Sequence, residues 1–188
     1  MAVLLRAQYP GVPLYLAGES MGGAVALVAA DQGIEVDGLI LASAALRSRE
    51  TFGPVVSAGL WFVAHTVPWF PNGPTSIDFQ PTDNPKTMDK LRNDPLMLRA
   101  ARVDMAYGLV DLMDDARAAA EHVHLPYLML HGLGDRIVPQ EPVQAAIEVM
   151  PPRVDSKLAF YKKGYHLLLR DKEGKVVAAT LYGPVVAR

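Results

Sequence analysis

Gly18-Glu19-Ser20-Met21-Gly22-Gly23 fits Gly-x-Ser-x-Gly, the pattern of a nucleophile elbow. Its flanks give the pattern weight. Before it, Pro13-Leu14-Tyr15-Leu16-Ala17 reads as a short apolar strand. After it, Ala24 to Gln32 is Ala-rich and nearly all apolar, and reads as a buried helix. A glycine-rich turn with a solvated serine would share the six residues but not this strand–turn–helix context. In an elbow the serine takes a strained backbone conformation that lifts its hydroxyl clear of the sheet. Gly18 and Gly22 are expected to remove side chains where strand and helix converge. A helix that begins just after Ser20 aims free N–H groups at the reacting centre. The Met21 N–H is then the natural oxyanion donor.

A serine nucleophile needs a base, and the base needs an orienting acid. Elbow enzymes carry them in the order Ser, Asp or Glu, His. Pro126-Tyr127-Leu128-Met129-Leu130-His131 reads as a second strand, and Asp135 lies in the loop after it. Leu158-Ala159-Phe160-Tyr161 reads as a third, and His166 lies in the loop after that. Ser20, Asp135 and His166 thus all leave the carboxyl ends of strands, where open α/β sheets bind ligands. Asp135 could instead cap the turn after it, but its place before Ile137-Val138-Pro139 favours the acid role.

Three motifs together resemble the monoacylglycerol lipase and lysophospholipase branch of the α/β-hydrolases. They are Gly18-Glu19-Ser20-Met21-Gly22-Gly23, the segment from His131-Gly132 through Gly134-Asp135 to Ile137-Val138-Pro139, and Gly164-Tyr165-His166. Asn93-Asp94-Pro95-Leu96 is similar to part of that branch's cap. The likeness covers nearly the whole chain except the last dozen residues. It implies Ser20 as nucleophile, Asp135 as acid and His166 as base. The motifs are specific for the superfamily and less so for the lipase branch.

The family's sheet begins well upstream of its elbow, whereas only Met1 to Pro10 precede the elbow strand here. Val3 to Gln8 reads as a helix tail ended by Tyr9-Pro10-Gly11. Measured against that resemblance, the residues given are expected to lack the family's first strands and the His-Gly loop that supplies its second oxyanion N–H. The expectation is the C-terminal portion of an α/β-hydrolase fold: a mostly parallel sheet of about four strands with an inserted helical cap. Residues 1–45 hold the elbow strand, nucleophile helix and next strand, residues 46–125 the cap, and residues 126–188 the strands carrying the acid and histidine loops.

Val36 to Ala42 reads as the strand beside the elbow strand. From Leu46 to about Leu125 the chain has both tryptophans, many prolines and no clear strand. Val55 to Pro71 is apolar and aromatic but too short to span a bilayer. It is either a buried cap helix with its turn or a lipid-facing lip over the site. Trp61, Phe62, Trp69 and Phe70 are the expected substrate-binding side chains, and the cap the expected point of peripheral membrane contact. Pro71 to Pro85 reads as an irregular loop. Asp94 to about Ala120 has helical periodicity with charges on one side, and Pro139 to Met150 reads as a helix. Gly174 to Val186 looks like a final helix that Gly183-Pro184 would break.

With 188 residues the chain is long enough for a sizeable core, and a net charge of −2 gives no electrostatic case for nucleic acid. There is no cysteine, so thiol nucleophiles and disulfides are excluded. No N-terminal signal is visible, and a cytoplasmic or peripheral membrane setting is the expectation. His122-x-His124 has no third ligand at convincing spacing and reads as solvated, so no metal is expected. Asp114 and Asp115 read as a solvated helix face, His131 as a structural residue beneath the Asp135 loop, and Glu19 as an elbow residue rather than a second base.

The reading these features support is a serine hydrolase that cleaves a carboxylic ester through an acyl-Ser20 intermediate and needs no cofactor. Its expected substrate is a monoacylglycerol or lysophospholipid. A peptidase of the same superfamily is the alternative within that chemistry, since cap shape rather than the triad selects the substrate. A non-catalytic fragment that keeps the residues but lacks half the site is the alternative outside it.

Overall fold

The computed structural model describes residues 1–72, 80–98 and 100–182. Along the chain run α1 (Ala2–Gln8), β1 (Tyr15–Glu19), α2 (Met21–Asp31), β2 (Gly38–Ala42), α3 (Pro54–Thr66), β3 (Pro71–Asn72) and α4 (Pro85–Asn93). They continue with β4 (Ala101–Arg102), α5 (Val103–Ala119), β5 (Tyr127–Gly132), α6 (Gln140–Val149), β6 (Lys157–Tyr161) and α7 (Gly174–Tyr182). The part of the irregular loop at 73–79, and Gly183-Pro184, lie outside the described residues.

Four strands form one parallel sheet in the order β1-β2-β5-β6. Burial follows that order. β5 is buried at every position and β2 at all but one, as continuous apolar runs in central parallel strands should be. β6 alternates between half-buried and exposed because it pairs on one side only. β1 is the other edge.

Alternate strand residues face two helical layers. Leu39, Leu41, Tyr127 and Met129 pack with Ala24 and Leu27 of α2, Val110, Met113 and Ala116 of α5, and Val143 and Ala146 of α6. Ala42, Leu128 and Leu130 face the other way, onto Leu168 of the turn before α7 and Val177 of α7. The whole-chain architecture is the α/β sheet with intervening helices that the sequence predicts.

Several local expectations change. Asp94 to Ala120 is not one helix: a turn comes after Asp94, and β4 pairs antiparallel with β3 before α5 begins at Val103. Pro95 disfavours helical backbone at Asp94, whose ψ is 117°. The region from Leu46 to Leu125 therefore contains a short strand pair despite its lack of strand signals. α4 has no counterpart among the expected elements, although Asn84-Pro85 marks its start. The Asn84 side chain accepts from the Lys86 N–H at 3.1 Å, and Pro85 opens the helix.

α3 is not a buried helix. Only its Ala64 is buried, while Val55 is 83% exposed. Arg49 ties the start of this region to α5. Its N–H donates to Asp114 at 2.6 Å, its guanidinium pairs with Asp111, and it lies over the Tyr107 ring at 5.1 Å. Asp114 is thus a partner of Arg49 rather than a merely solvated carboxylate. Among the described residues no helix is long and apolar enough to cross a membrane.

Candidate active site

The elbow is a backbone device. Ser20 has φ 55° and ψ −120°, a left-handed conformation that side chains rarely adopt. Its carbonyl accepts from the Gly23 N–H at 2.9 Å and from the Ala45 N–H at 2.9 Å. The first contact closes the turn into α2, and the second pins it to the chain leaving β2. A Cβ on Gly18 would stand 2.6 Å from the Gly23 nitrogen, so the close approach needs that glycine.

Gly22 behaves differently from the sequence expectation. A Cβ there would meet nothing within 4 Å, whereas one on Gly23 would stand 2.6 Å from the Ala44 Cβ. Among the described residues the helix-side glycine that permits close packing is therefore Gly23. Met21 opens α2, so its N–H has no carbonyl one turn back within the helix.

Asp135 and His166 reach Ser20 from neighbouring strands. Asp135 comes after β5, and its Oδ1 accepts from the Ile137 N–H at 2.8 Å and the Val138 N–H at 3.0 Å. It does cap the turn, and its other oxygen remains free for a second task. His166 Nδ1 lies 2.8 Å from Asp135 Oδ2, and His166 Nε2 lies 2.8 Å from Ser20 Oγ. With Nδ1–H donating to the carboxylate, Nε2 is left to accept the serine hydroxyl. The Asp135 side chain is 0% exposed and that of His166 is 7%, so water screens their bond little.

The acid and histidine loops cross backbone to backbone. Gly134 N–H donates to the Gly164 carbonyl at 2.9 Å. A Cβ on Gly164 would stand 3.0 Å from Gly132 Cα and 2.5 Å from Leu168 Cδ2. Only glycines allow that approach, which sets the height of the imidazole above the sheet.

Two further ionisable groups flank the site. Glu19 ends β1 half-buried, with Oε1 sealed from solvent and without a hydrogen-bond partner. Burial pushes its carboxyl pKa up, and Arg170 and His166 act against that shift. His131 is buried with neither ring nitrogen hydrogen-bonded, and its ring meets Phe160 edge-on at 6.2 Å. Burial pushes its pKa down, with nearby Asp135 opposing. His122 faces Asp31 at 3.4 Å.

Trp61, Phe62, Trp69 and Phe70 are 52, 59, 65 and 56% exposed, so none of them closes a pocket by itself. Trp61 stacks on His65 at 4.6 Å, and His65 meets Tyr107 edge-on at 5.4 Å. The ring contacts of Trp61 thus run along α3 to α5.

Comparison with known proteins places the chain in a family. The family model described as serine aminopeptidase, S33 matches residues 1–173. Monoglyceride lipase of Homo sapiens is 30% identical over 174 residues, which is 89% of this chain and 55% of that protein. The Mus musculus monoglyceride lipase is likewise 30% identical over 175 residues, with the same coverage. The chain thus spans about 55% of the length of the curated relatives it matches.

Among solved structures, the Paleococcus ferrophilus monoacylglycerol lipase superposes with a TM-score of 0.77 at 21% identity. That match covers 95% of this chain and 70% of that one. A soluble variant of monoglyceride lipase from Saccharomyces cerevisiae, in complex with a substrate analog, gives 0.74 at 20% identity, covering 95% and 63%. These likenesses establish an α/β-hydrolase fold.

Proposed function

The chain belongs to the serine aminopeptidase S33 family of hydrolases, and on that premise we propose that it carries the triad of a serine hydrolase acting on carboxylic esters. The single observation behind the reading is the relay from Ser20 through His166 to Asp135, with both contacts at 2.8 Å. Ser20 Oγ attacks the acyl carbonyl while His166 Nε2 takes its proton. His166 then protonates the leaving alcohol, and water releases the acid from acyl-Ser20 by the same route. Asp135 holds the imidazole in the productive tautomer and stabilises its charged form. The Met21 N–H donates to the developing oxyanion.

The substrate class proposed is a monoacylglycerol or a lysophospholipid. The names of the matched relatives support it, as do the exposed aromatics of the region between β2 and β5. Trp61, Phe62, Trp69 and Phe70 would bind the acyl chain or meet a lipid surface. We place the cap within residues 46–125, a reading in which α5, whose Val110, Met113 and Ala116 pack into the sheet core, would form its base.

Fluorophosphonate labelling tests the reading. Ser20→Ala should abolish it, and labelling that survives would identify another nucleophile. A chain that never labels would favour the non-catalytic alternative, since loss of one oxyanion donor alone costs about a hundredfold to a thousandfold. The family's description also favours a peptidase reading. Turnover of aminoacyl nitroanilides in preference to nitrophenyl esters would select it.

A further inference from the structure

The two backbone N–H groups that flank His166 are both held by groups outside its own turn. Tyr165 N–H donates to Asp171 Oδ2 at 2.7 Å, and Leu167 N–H donates to the Pro81 carbonyl at 2.8 Å. Pro81 belongs to the segment that leads into α4, eighty-odd residues earlier in the chain. The same segment grips the backbone a few residues past the histidine. Asn84 Nδ2 and Thr87 Oγ1 each donate to the Arg170 carbonyl at 3.1 Å, and Asp83 Oδ1 accepts from the Lys172 N–H at 2.8 Å.

Thr82 sits at the centre, 1% exposed, beside the buried Asp171. Its Oγ1 accepts from the Asn84 N–H at 3.2 Å and donates to the Arg170 carbonyl at 3.5 Å. Burial pushes the Asp171 carboxyl pKa up; its Oδ2 takes the Tyr165 N–H, while its Oδ1 is sealed from solvent without a hydrogen-bond partner. Residues 82–87 thus hold the backbone on both sides of Asp171, whose carboxylate reaches back to the histidine turn, and a carboxylate buried there is costly unless that partner stays in place.

We propose that Thr82 and Asp171 are positioning residues for His166, clasping its turn to residues 81–87 so that the imidazole reaches Ser20 and Asp135 only while that segment is docked. The inference rests on the triad reading above. Neither residue touches the reacting atoms. They act by fixing the backbone on both sides of the base, and a displacement of about 1 Å there is enough to cost a hundredfold in rate. Any motion of residues 81–87 therefore also moves the catalytic base.

The test compares the full chain with Thr82→Val, Thr82→Ser and Asp171→Ala. Valine keeps the shape of threonine and removes the hydroxyl, while serine restores it. The first readout is the downfield proton resonance of the Nδ1–H between His166 and Asp135, recorded well below each variant's melting temperature. It needs no turnover. The second is the split of kcat from KM on a nitrophenyl ester.

Thr82→Val and Asp171→Ala should lose or broaden the resonance and lower kcat by about ten- to a hundredfold with KM little changed, and Thr82→Ser should restore both. An unaltered resonance in folded Thr82→Val would overturn the clasp. So would loss in Asp171→Ala alone, which would leave residues 81–87 without a part in it. A parent chain that shows the resonance but no turnover would reject the proposed chemistry and leave the clasp to be decided by the resonance.

Discussion

Gly132 and Gly164 cross with their backbones in contact, the Gly132 Cα standing 3.0 Å from where a Gly164 Cβ would lie. One glycine leads into the acid loop and the other into the histidine loop. Their crossing lets two loops from adjacent strands converge on one side of Ser20. Gly164→Ala should therefore force the loops apart, with a fall in melting temperature of roughly 2–12 °C. Gly22→Ala, which meets open space, should change it by no more than a few degrees. Thermal melts followed by circular dichroism compare the two, and equal losses would refute the contact argument.

Asp135 does two jobs with two oxygens. Oδ1 caps the turn through Ile137 and Val138, and Oδ2 orients His166. Asp135→Asn can keep the first and must lose the second, because its amide nitrogen donates where the carboxylate accepted. It should melt close to the parent while turnover falls by about ten-thousandfold. Asp135→Ala should lose about 1–3 kcal/mol of stability in addition. An Asn variant as unstable as the Ala variant would show that the charge, not the cap, stabilises the turn.

His131 should make the fold acid-sensitive. Burial holds its folded pKa below the ordinary 6.5, while the unfolded side chain titrates near that value. Its contribution to stability is therefore complete above pH 6.5 and is lost as the pH falls toward the folded pKa. Between about pH 7.5 and about pH 5.5 the parent should lose more stability than His131→Phe, whose ring can occupy the same space. Parallel curves for the two proteins would remove His131 from the acid response.

Trp61 and Phe62 give a test of substrate choice. Polar replacement of both should raise KM for long-chain monoacylglycerols by about tenfold and leave short-chain nitrophenyl esters nearly unaffected, as expected for lost apolar contact. Their exposure makes wholesale unfolding an unsuitable explanation for such a split. Equal losses on both substrates would point instead to a displaced cap.

The elements under local chemical control were legible in the order of residues alone. Gly-x-Ser-x-Gly between an apolar strand and an apolar helix specified the elbow, because a Ser with positive φ needs glycine at the strand side and a helix to receive the turn. Apolar runs marked β2 and β5 as strands, and the sheet order shows them central, with both faces covered. Asp135 and His166 were legible from their order and their places after strands.

Features that depend on residues far apart in the chain were settled only by folding. Gly23 rather than Gly22 is the tight packing point because Ala44 arrives from the end of β2, which no local pattern encodes. The extent of burial of α3 depends on what else covers it, so its apolar composition could not distinguish core from surface. α4 had a readable start in Asn84-Pro85, yet its charged, weakly apolar body hid it. The docking of Pro81 and Thr82 beside the His166 turn joins segments more than eighty residues apart through backbone carbonyls. Backbone groups are the same at every position, so such contacts leave no signature in the order of side chains and come into being only when the chain has folded.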